Sequence, residues 1–318
     1  MKIGIISEGG APALAAVYGD VWVSVPKALG ALGLEPVNEL SDFISRYGAD
    51  VAALNRDIEN LFKNGKAEGF SHPLADDLEF LPPLPRSPKL FTARGNSATF
   101  VRVCKSPVCK QPVMEQRYNF NLIGHNGLHV VRDGYASGGW NYEMVCVMGK
   151  PCHGAAKENA YDYVFGYTNM LDHSGRYKNY PYDEGNKWAL PAAEKVFADY
   201  AYEGCYNGNS QVPTPIGPLI VTKDEVGDPH DQMLEERESG RLISYGSAQA
   251  VCFTFDEMIA YMSSFLTLYP GDMMSSASIT YDGYPNWPQK YPENAYIQCK
   301  TSKLGTLRMR IRDDRKEV

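Results

Sequence analysis

Trp140-Asn141-Tyr142-Glu143-Met144-Val145-Cys146-Val147-Met148-Gly149-Lys150 is the stretch on which the fold turns. Read as a strand, it sends Asn141 and Glu143 to one face together with Val145 and Val147, because successive side chains alternate. A carboxylate on the inward face of an apolar strand is costly unless it is paired or bound to a cation. Two readings follow for Glu143: it meets an arginine at the strand end, or it helps hold a metal ion. A second stretch matches the first in kind, Val164-Phe165-Gly166-Tyr167-Thr168-Asn169-Met170-Leu171-Asp172-His173-Ser174-Gly175-Arg176, an apolar run ending in Asp, His, Ser and Arg. Carboxylate oxygens from two such segments suit a hard cation such as Mg²⁺. The alternative for Asp172 is a turn that it caps.

Outward from these stretches, apolar-rich runs alternate with Gly, Asn and Pro turns at Pro218–Thr222, Met273–Ile279 and Ala295–Cys299. These read as strands. Helical stretches fall within residues 1–80, including Ala49–Lys66; beyond them helical signals are few, the clearest being Thr254–Leu268, with Asp256 in its first turn and Phe255, Met258, Ile259, Met262 and Phe265/Leu266 at helical spacing. The proline-rich passage Leu81-Pro82-Pro83-Leu84-Pro85-Arg86-Ser87-Pro88 cannot form helix or central strand. It divides a small N-terminal region, residues 1–85, from a strand-rich region, 86–318. The predicted class is α+β, rich in strands.

The charge balance excludes some roles. With 318 residues, a net charge of −7 and 22% charged residues, the chain gives no electrostatic reason to bind nucleic acid. Its most basic run, Leu307 to Arg312, alternates apolar and basic residues and reads as a strand that buries Leu307, Met309 and Ile311 and solvates its arginines. No apolar run approaches the roughly 18 residues that span a bilayer, and the first residues lack a signal-peptide core. The seven cysteines are scattered without zinc spacing, as free thiols in a reducing compartment would be. A cytoplasmic, membrane-independent protein is expected. No phosphate-cradling glycine loop, nucleophile elbow or paired-histidine metalloprotease helix occurs.

The passage Gln111–Ser174, with Leu122-Ile123-Gly124, the Glu143-to-Lys150 strand and Tyr163-Val164-Phe165-Gly166-Tyr167-Thr168, resembles the fumarylacetoacetate hydrolase family. The likeness continues through Pro215–Glu225, Ile259–Tyr261, Thr267-Leu268-Tyr269-Pro270-Gly271-Asp272 and Leu304–Arg308, and the opening Gly9-Gly10-Ala11-Pro12 resembles the family's small N-terminal domain. The resemblance implies a β-rich mixed-sheet roll around Mg²⁺ or Mn²⁺, commonly in a homodimer. Such enzymes cleave, decarboxylate or isomerise 2,4-dioxo acids and related enolisable acids. The family's metal ligands fall on Glu143 and Asp172, with Asn141 where a first Glu is usual. The amide removes one negative charge, which predicts weaker or more selective metal binding, or its loss. For the carboxylate-bearing substrate, the resemblance implies Arg176, Asn179, Lys195 and Ser278 as holding residues, Lys195 also assisting proton transfer.

One part of the family pattern is missing. Hydrolytic members activate water with a His-Glu pair; the matching stretch here starts at Asn96 and puts Phe100 and Val103 at those positions. Neither accepts a proton. His173, next to the expected ligand Asp172, is the candidate replacement; His125, His129 and His153 read as solvated loop residues. The readings carried forward are C–C hydrolysis or cleavage of a 2-oxo or 2,4-dioxo acid, enolate chemistry without a water-activating pair (isomerase, decarboxylase or lyase), and a pocket retained for binding after catalysis was lost.

Overall fold

The computed structural model describes residues 1–75, 78–85, 89–105, 108–117, 121–133, 135–137, 140–173, 176–177, 213–277 and 290–316, with backbone alone for residues 104, 135–137, 173 and 176–177. The chain opens as a meander, β1 (Lys2–Glu8), β2 (Ala11–Tyr18) and β3 (Val21–Ser24). Its first hairpin is tight because Gly9 and Gly10 both take positive φ, 58° and 85°, as a two-residue loop with the right twist requires. Helices α1 (Val25–Ala31), α2 (Leu40–Tyr47) and α3 (Val51–Lys63) follow. Leu40, Phe43 and Ile44 of α2 and Val51, Leu54 and Ile58 of α3 are buried, each set recurring at helical spacing. The sequence pattern for 49–66 thus becomes α3 preceded by a 3₁₀ turn at Gly48–Asp50.

Next come β4 (Ser71–Pro73), β5 (Phe80–Leu81), β6 (Leu90–Arg94), α4 (Ala98–Cys104), β7 (Val113–Arg117), β8 (Leu122–Ile123), β9 (Gly127–Val131) and β10 (Tyr135–Ser137). The two decisive stretches are β11 (Trp140–Met148) and β12 (Val164–His173). After β13 (Arg176–Tyr177) the chain continues with β14 (Thr214–Thr222), β15 (Met233–Glu238), β16 (Arg241–Ser247), α5 (Phe255–Ser263), β17 (Met273–Ser275), β18 (Tyr296–Thr301) and β19 (Gly305–Asp313). The α5 start is a capping box, Thr254 with Glu257. It ends earlier than its apolar pattern: Ser263 and Ser264 hydroxyls turn back onto the Ala260 and Tyr261 carbonyls, and the apolar residues beyond lie in a turn.

The larger sheet runs β4-β3-β2-β1-β14-β12-β11-β17-β6-β7, with β5 added beside β1 and β8 beside β14. Strands before and after the proline passage therefore share one sheet, and Leu84 within that passage is buried. Most pairs are antiparallel; β17 with β6 and β14 with β8 are parallel. Gly166 of β12 lets β14 approach, since a Cβ there would sit 2.3 Å from the Val221 carbonyl oxygen. A second sheet runs β16-β15-β18-β19-β9, and β10 pairs with β13.

Alternation on β11 divides the interior. Tyr142, Met144, Cys146 and Met148 pack with α5 and with Leu234, Ile297, Leu307 and Met309 of the second sheet. Val145, Val147, Phe165 and Met170 pack with α2, α3, β1 and β14. Burial of this apolar surface, at about 25 cal/mol per Å², is the main force holding the layers. The expected sides of Leu307, Met309 and Ile311 are found: all three are buried and Arg310 and Arg312 are exposed. Among the described residues no helix is long and apolar enough to cross a membrane. Cys109, Cys146, Cys152, Cys252 and Cys299 are free.

Candidate active site

Strand pairing assembles the site. In β11 and β12, Asn141 stands opposite Asp172 and Glu143 opposite Met170, so the two carboxyls lie diagonally on one face. On the other flank of β11, Val145 pairs with Ser275 of β17, Ser275 with Thr92 of β6, and Thr92 with Glu115 of β7. Directly opposed residues share a face. Arg117, two residues beyond Glu115, belongs to it as well. A polar stripe thus crosses five strands, composed of Glu115, Arg117, Thr92, Ser275, Glu143, Asn141 and Asp172.

Arg117 and Asp172 stand four strand intervals apart, about 19 Å on a flat sheet at the usual spacing. Yet Arg117 Nη2 donates to Asp172 Oδ2 at 2.5 Å. No arginine spans a flat sheet that far, so the sheet is curled and the stripe lines its concave side. Arg117 Nε donates to Thr92 Oγ1 at 3.1 Å, which fixes the guanidinium plane. Arg94 Nη1 donates to Glu115 Oε1 at 2.8 Å, and the Ser275 hydroxyl donates to Glu143 Oε2.

Glu143 and Asp172 are only 3% and 4% exposed. Burial holds the Glu143 carboxyl well above the usual carboxylate range, the charge of Asp172 adds to this, and Ser275 and Arg117 oppose it. Burial also raises Glu115, against the pull of Arg94 and Arg117. Asp172 Oδ1 is buried without a hydrogen-bond partner, and so is Arg117 Nη1. Orphaned groups of this kind are rare in native interiors because each carries its full desolvation cost.

Asp172 lies within β12, not in a turn, and Arg117 pairs with Asp172 rather than with Glu143. Among the described residues no three His, Cys, Asp or Glu side chains converge as a metal set. What converges is two carboxylates with the Asn141 amide directly across from one of them. That donor set, all oxygen, suits Mg²⁺ or Mn²⁺, and a cation would both satisfy Asp172 Oδ1 and relieve the repulsion between the acids. The residues present therefore fit a divalent ion, with one charge fewer than three acids would give.

His173 takes the register position opposite Trp140, and Arg176 that opposite Ser137; the side chains of both lie outside the described residues. Asn179, Lys195 and Ser278 lie outside them entirely. The chain leading to Ser278 is firmly anchored: Met144 N donates to Ser276 Oγ at 3.1 Å, and Asn96 Nδ2 donates to the Ser276 carbonyl at 3.0 Å. In α4, capped by the Ser97 side chain, Phe100 is half-buried and Val103 exposed. Burial holds His125 and His129 down at about 4, and His125 Nδ1 accepts from the Arg308 amide at 3.3 Å. Those histidines serve the second sheet.

Sequence reading overlooked Arg117, Glu115, Ser275 and Thr92. The two-residue alternation of Glu115 and Arg117 was the available signal. A groove of about 830 Å³ beside β19 is no rival anion site. Arg308 is bound to Gln298 and lies over Tyr296, Arg310 donates to the Asn126 carbonyl, and Arg312 pairs with Asp314.

Comparison with known proteins agrees with this architecture. The family model described as fumarylacetoacetate (FAA) hydrolase C-terminal matches residues 89–312. A 2,4-didehydro-3-deoxy-L-rhamnonate hydrolase of Sphingomonas sp. (strain SKA58) is 28% identical over 207 residues, 64% of this chain and 66% of that protein. A mitochondrial oxaloacetate tautomerase of Homo sapiens is 25% identical over 232 residues, 73% of this chain and 68% of that protein. The chain spans about two thirds of the length of these curated relatives. The fold is shared with maleylpyruvate hydrolase from Sphingobium sp. SYK-6, solved with manganese(II) and pyruvate. The TM-score is 0.70 at 20% identity, over 98% of this chain and 99% of that one. It is shared also with a 5-carboxymethyl-2-hydroxymuconate delta-isomerase from Mycobacterium smegmatis, at TM-score 0.66 and 18% identity over 99% of both chains. A hydrolase and a tautomerase thus stand among its sequence relatives, and an isomerase among the proteins that share its fold. With a family model matched across most of its length, this chain belongs to the fumarylacetoacetate hydrolase family, as a divergent member.

Proposed function

We propose that this protein is a divalent-cation-dependent enzyme that acts on a 2-oxo or 2,4-dioxo acid through an enolate. One observation carries the reading: Glu143 and Asp172 converge, buried, on one concave face, and Asp172 Oδ1 has no partner there. Two acids forced together in low dielectric repel one another, and a cation between them removes that cost. Glu143, Asp172 and the Asn141 amide would hold Mg²⁺ or Mn²⁺. Bound there, the ion supplies Lewis-acid polarisation of a substrate carbonyl. The protein's own groups do the rest. Ser275 fixes one oxygen of Glu143, and Arg117 fixes one oxygen of Asp172. Arg176, Asn179 and Ser278 hold the substrate's carboxylate, and Lys195 or His173 moves the proton on carbon.

The reaction favoured is one that needs only a stabilised enolate: keto–enol isomerisation, decarboxylation, or C–C cleavage by retro-aldol. Helix α4 supports this choice, because Phe100 and Val103 cannot draw a proton from water. Hydrolytic C–C cleavage would need another base. The same two residues, with Asn141 in place of an acid, favour a second reading, a metal-free binding protein that keeps the pocket.

Turnover of oxaloacetate and a panel of acylpyruvates, with Mn²⁺ and after chelation, tests the proposal. Metal-dependent turnover that Glu143→Ala abolishes is the expected result. A protein without metal, inert on the whole panel, rejects it in favour of the binding role. If cleavage is seen, ¹⁸O from water entering the product acid would restore hydrolysis.

A further inference from the structure

We propose that Arg117 is a further anion-holding group of this site, its Nη1 taking a carboxylate oxygen of the substrate while its other nitrogens stay locked to the protein. The inference deepens the proposed function and rests on that reading for its metal. Arg117 presents a rigid fork of donors, of which Nη2 is committed to Asp172 and Nε to Thr92. Nη1 is left over. The side chain is 10% exposed, and Nη1 itself is buried with no acceptor. A guanidinium fixed at two points and unsatisfied at the third is costly in an interior, and planar carboxylates are what such a fork matches.

The neighbouring orphan completes the argument. Asp172 Oδ1 lacks a donor, Arg117 Nη1 lacks an acceptor, and one ion pair orients both. A cation answers the first and an anion the second, and a metal-bound 2-oxo acid brings the two together. Charge in the stripe agrees. With Glu115, Glu143 and Asp172 ionised beside a bound divalent cation, and Arg94 and Arg117 against them, the site carries one positive charge. The loaded site then favours a singly charged carboxylate and disfavours its neutral ester or amide.

The test uses titration calorimetry on the full chain with MnCl₂, and with pyruvate in the presence and absence of saturating Mn²⁺. Arg117→Lys keeps a cation for Asp172 but loses the fork. It should weaken pyruvate binding by ~10-fold or more, leave Mn²⁺ affinity within about threefold, and keep the melting temperature. Thr92→Val frees the guanidinium plane and should shift pyruvate the same way by less, which covers the case of a misfolded Arg117 variant. Pyruvate affinity unchanged in Arg117→Lys overturns the proposal, as does an equal loss of Mn²⁺ and pyruvate. Arg117-dependent pyruvate binding without any uptake of Mn²⁺ upholds the anion role and removes the metal reading. Mn²⁺ uptake with Arg117-independent pyruvate binding does the reverse. If the wild type binds neither, both fall.

Discussion

Glu143 and Glu236 are both nearly inaccessible, at 3% and 2% exposure, and burial raises both carboxyls well above the usual range. They differ in company. Glu236 stands on β15 between Cys299 and Ser244, facing the apolar layer that joins the two sheets, and its Oε1 has no partner. Apart from burial, only the charge of Glu238 moves it. Glu143 shares its face with a second acid, a hydroxyl donor and two ion-paired arginines. An isolated buried acid is most cheaply kept by holding its proton. Acids brought together beside fixed cations form a field that a ligand can enter. Perturbation alone therefore does not separate the candidate site from Glu236; convergence does.

The comparison can be broken at several points. The largest effect is expected from Arg117→Ala, which leaves Asp172 buried without its cation and should cost about 3–5 kcal/mol in chemical denaturation. No comparable partner exists at Glu236 among the described residues, so no single substitution around it should cost as much. Next, Glu143→Gln should lower metal-dependent turnover by ~100-fold or more, exceeding the usual cost of losing an outer-shell partner. It should also abolish any rise of melting temperature on adding Mn²⁺. Glu236→Gln should leave turnover within about twofold, because nothing at that position contacts the acids of the stripe. A loss of turnover there would end the distinction drawn here.

The smallest effect concerns pH. Glu236 has a raised folded value, so the wild type carries its full contribution below the ordinary value of 4.5 and loses it as pH rises toward the folded one. Glu236→Gln does not ionise. Its stability relative to wild type should therefore grow with pH above that value, by at most about 1.4 kcal/mol per pH unit. A variant with the same pH slope as wild type would show that Glu236 is already charged in the fold.

Much of the architecture was legible because it is written locally. Alternation on Trp140–Met148 and Leu307–Arg312, the proline passage, and the spacing of Phe255, Met258, Ile259 and Met262 all report on their own neighbourhoods. Glu143 and Asp172 were legible for a related reason: a carboxyl in an apolar strand is conspicuous, and the family resemblance aligned both. Arg117, Ser275 and Thr92 were not, since strands β7, β17 and β6 meet through pairing between distant parts of the chain. The curl that carries Arg117 to Asp172 has no local sequence signature. Even so, an arginine beside the acids was one of two readings offered by elementary electrostatics; it chose the other acid.

The continuity of the large sheet has a practical consequence. Strand β14 is buried along nearly all of Thr214–Thr222 and is flanked near its end by β1, through Lys2 with Val221 and Ile3 with Ile220. Severing the polypeptide at the proline passage would strip that flank and leave a greasy, unpaired rim of backbone amides and carbonyls. Such rims recruit one another. A fragment made of residues 86–318 alone should precipitate or form ribbons, whereas the same fragment expressed together with residues 1–85 should reassemble and stay in solution.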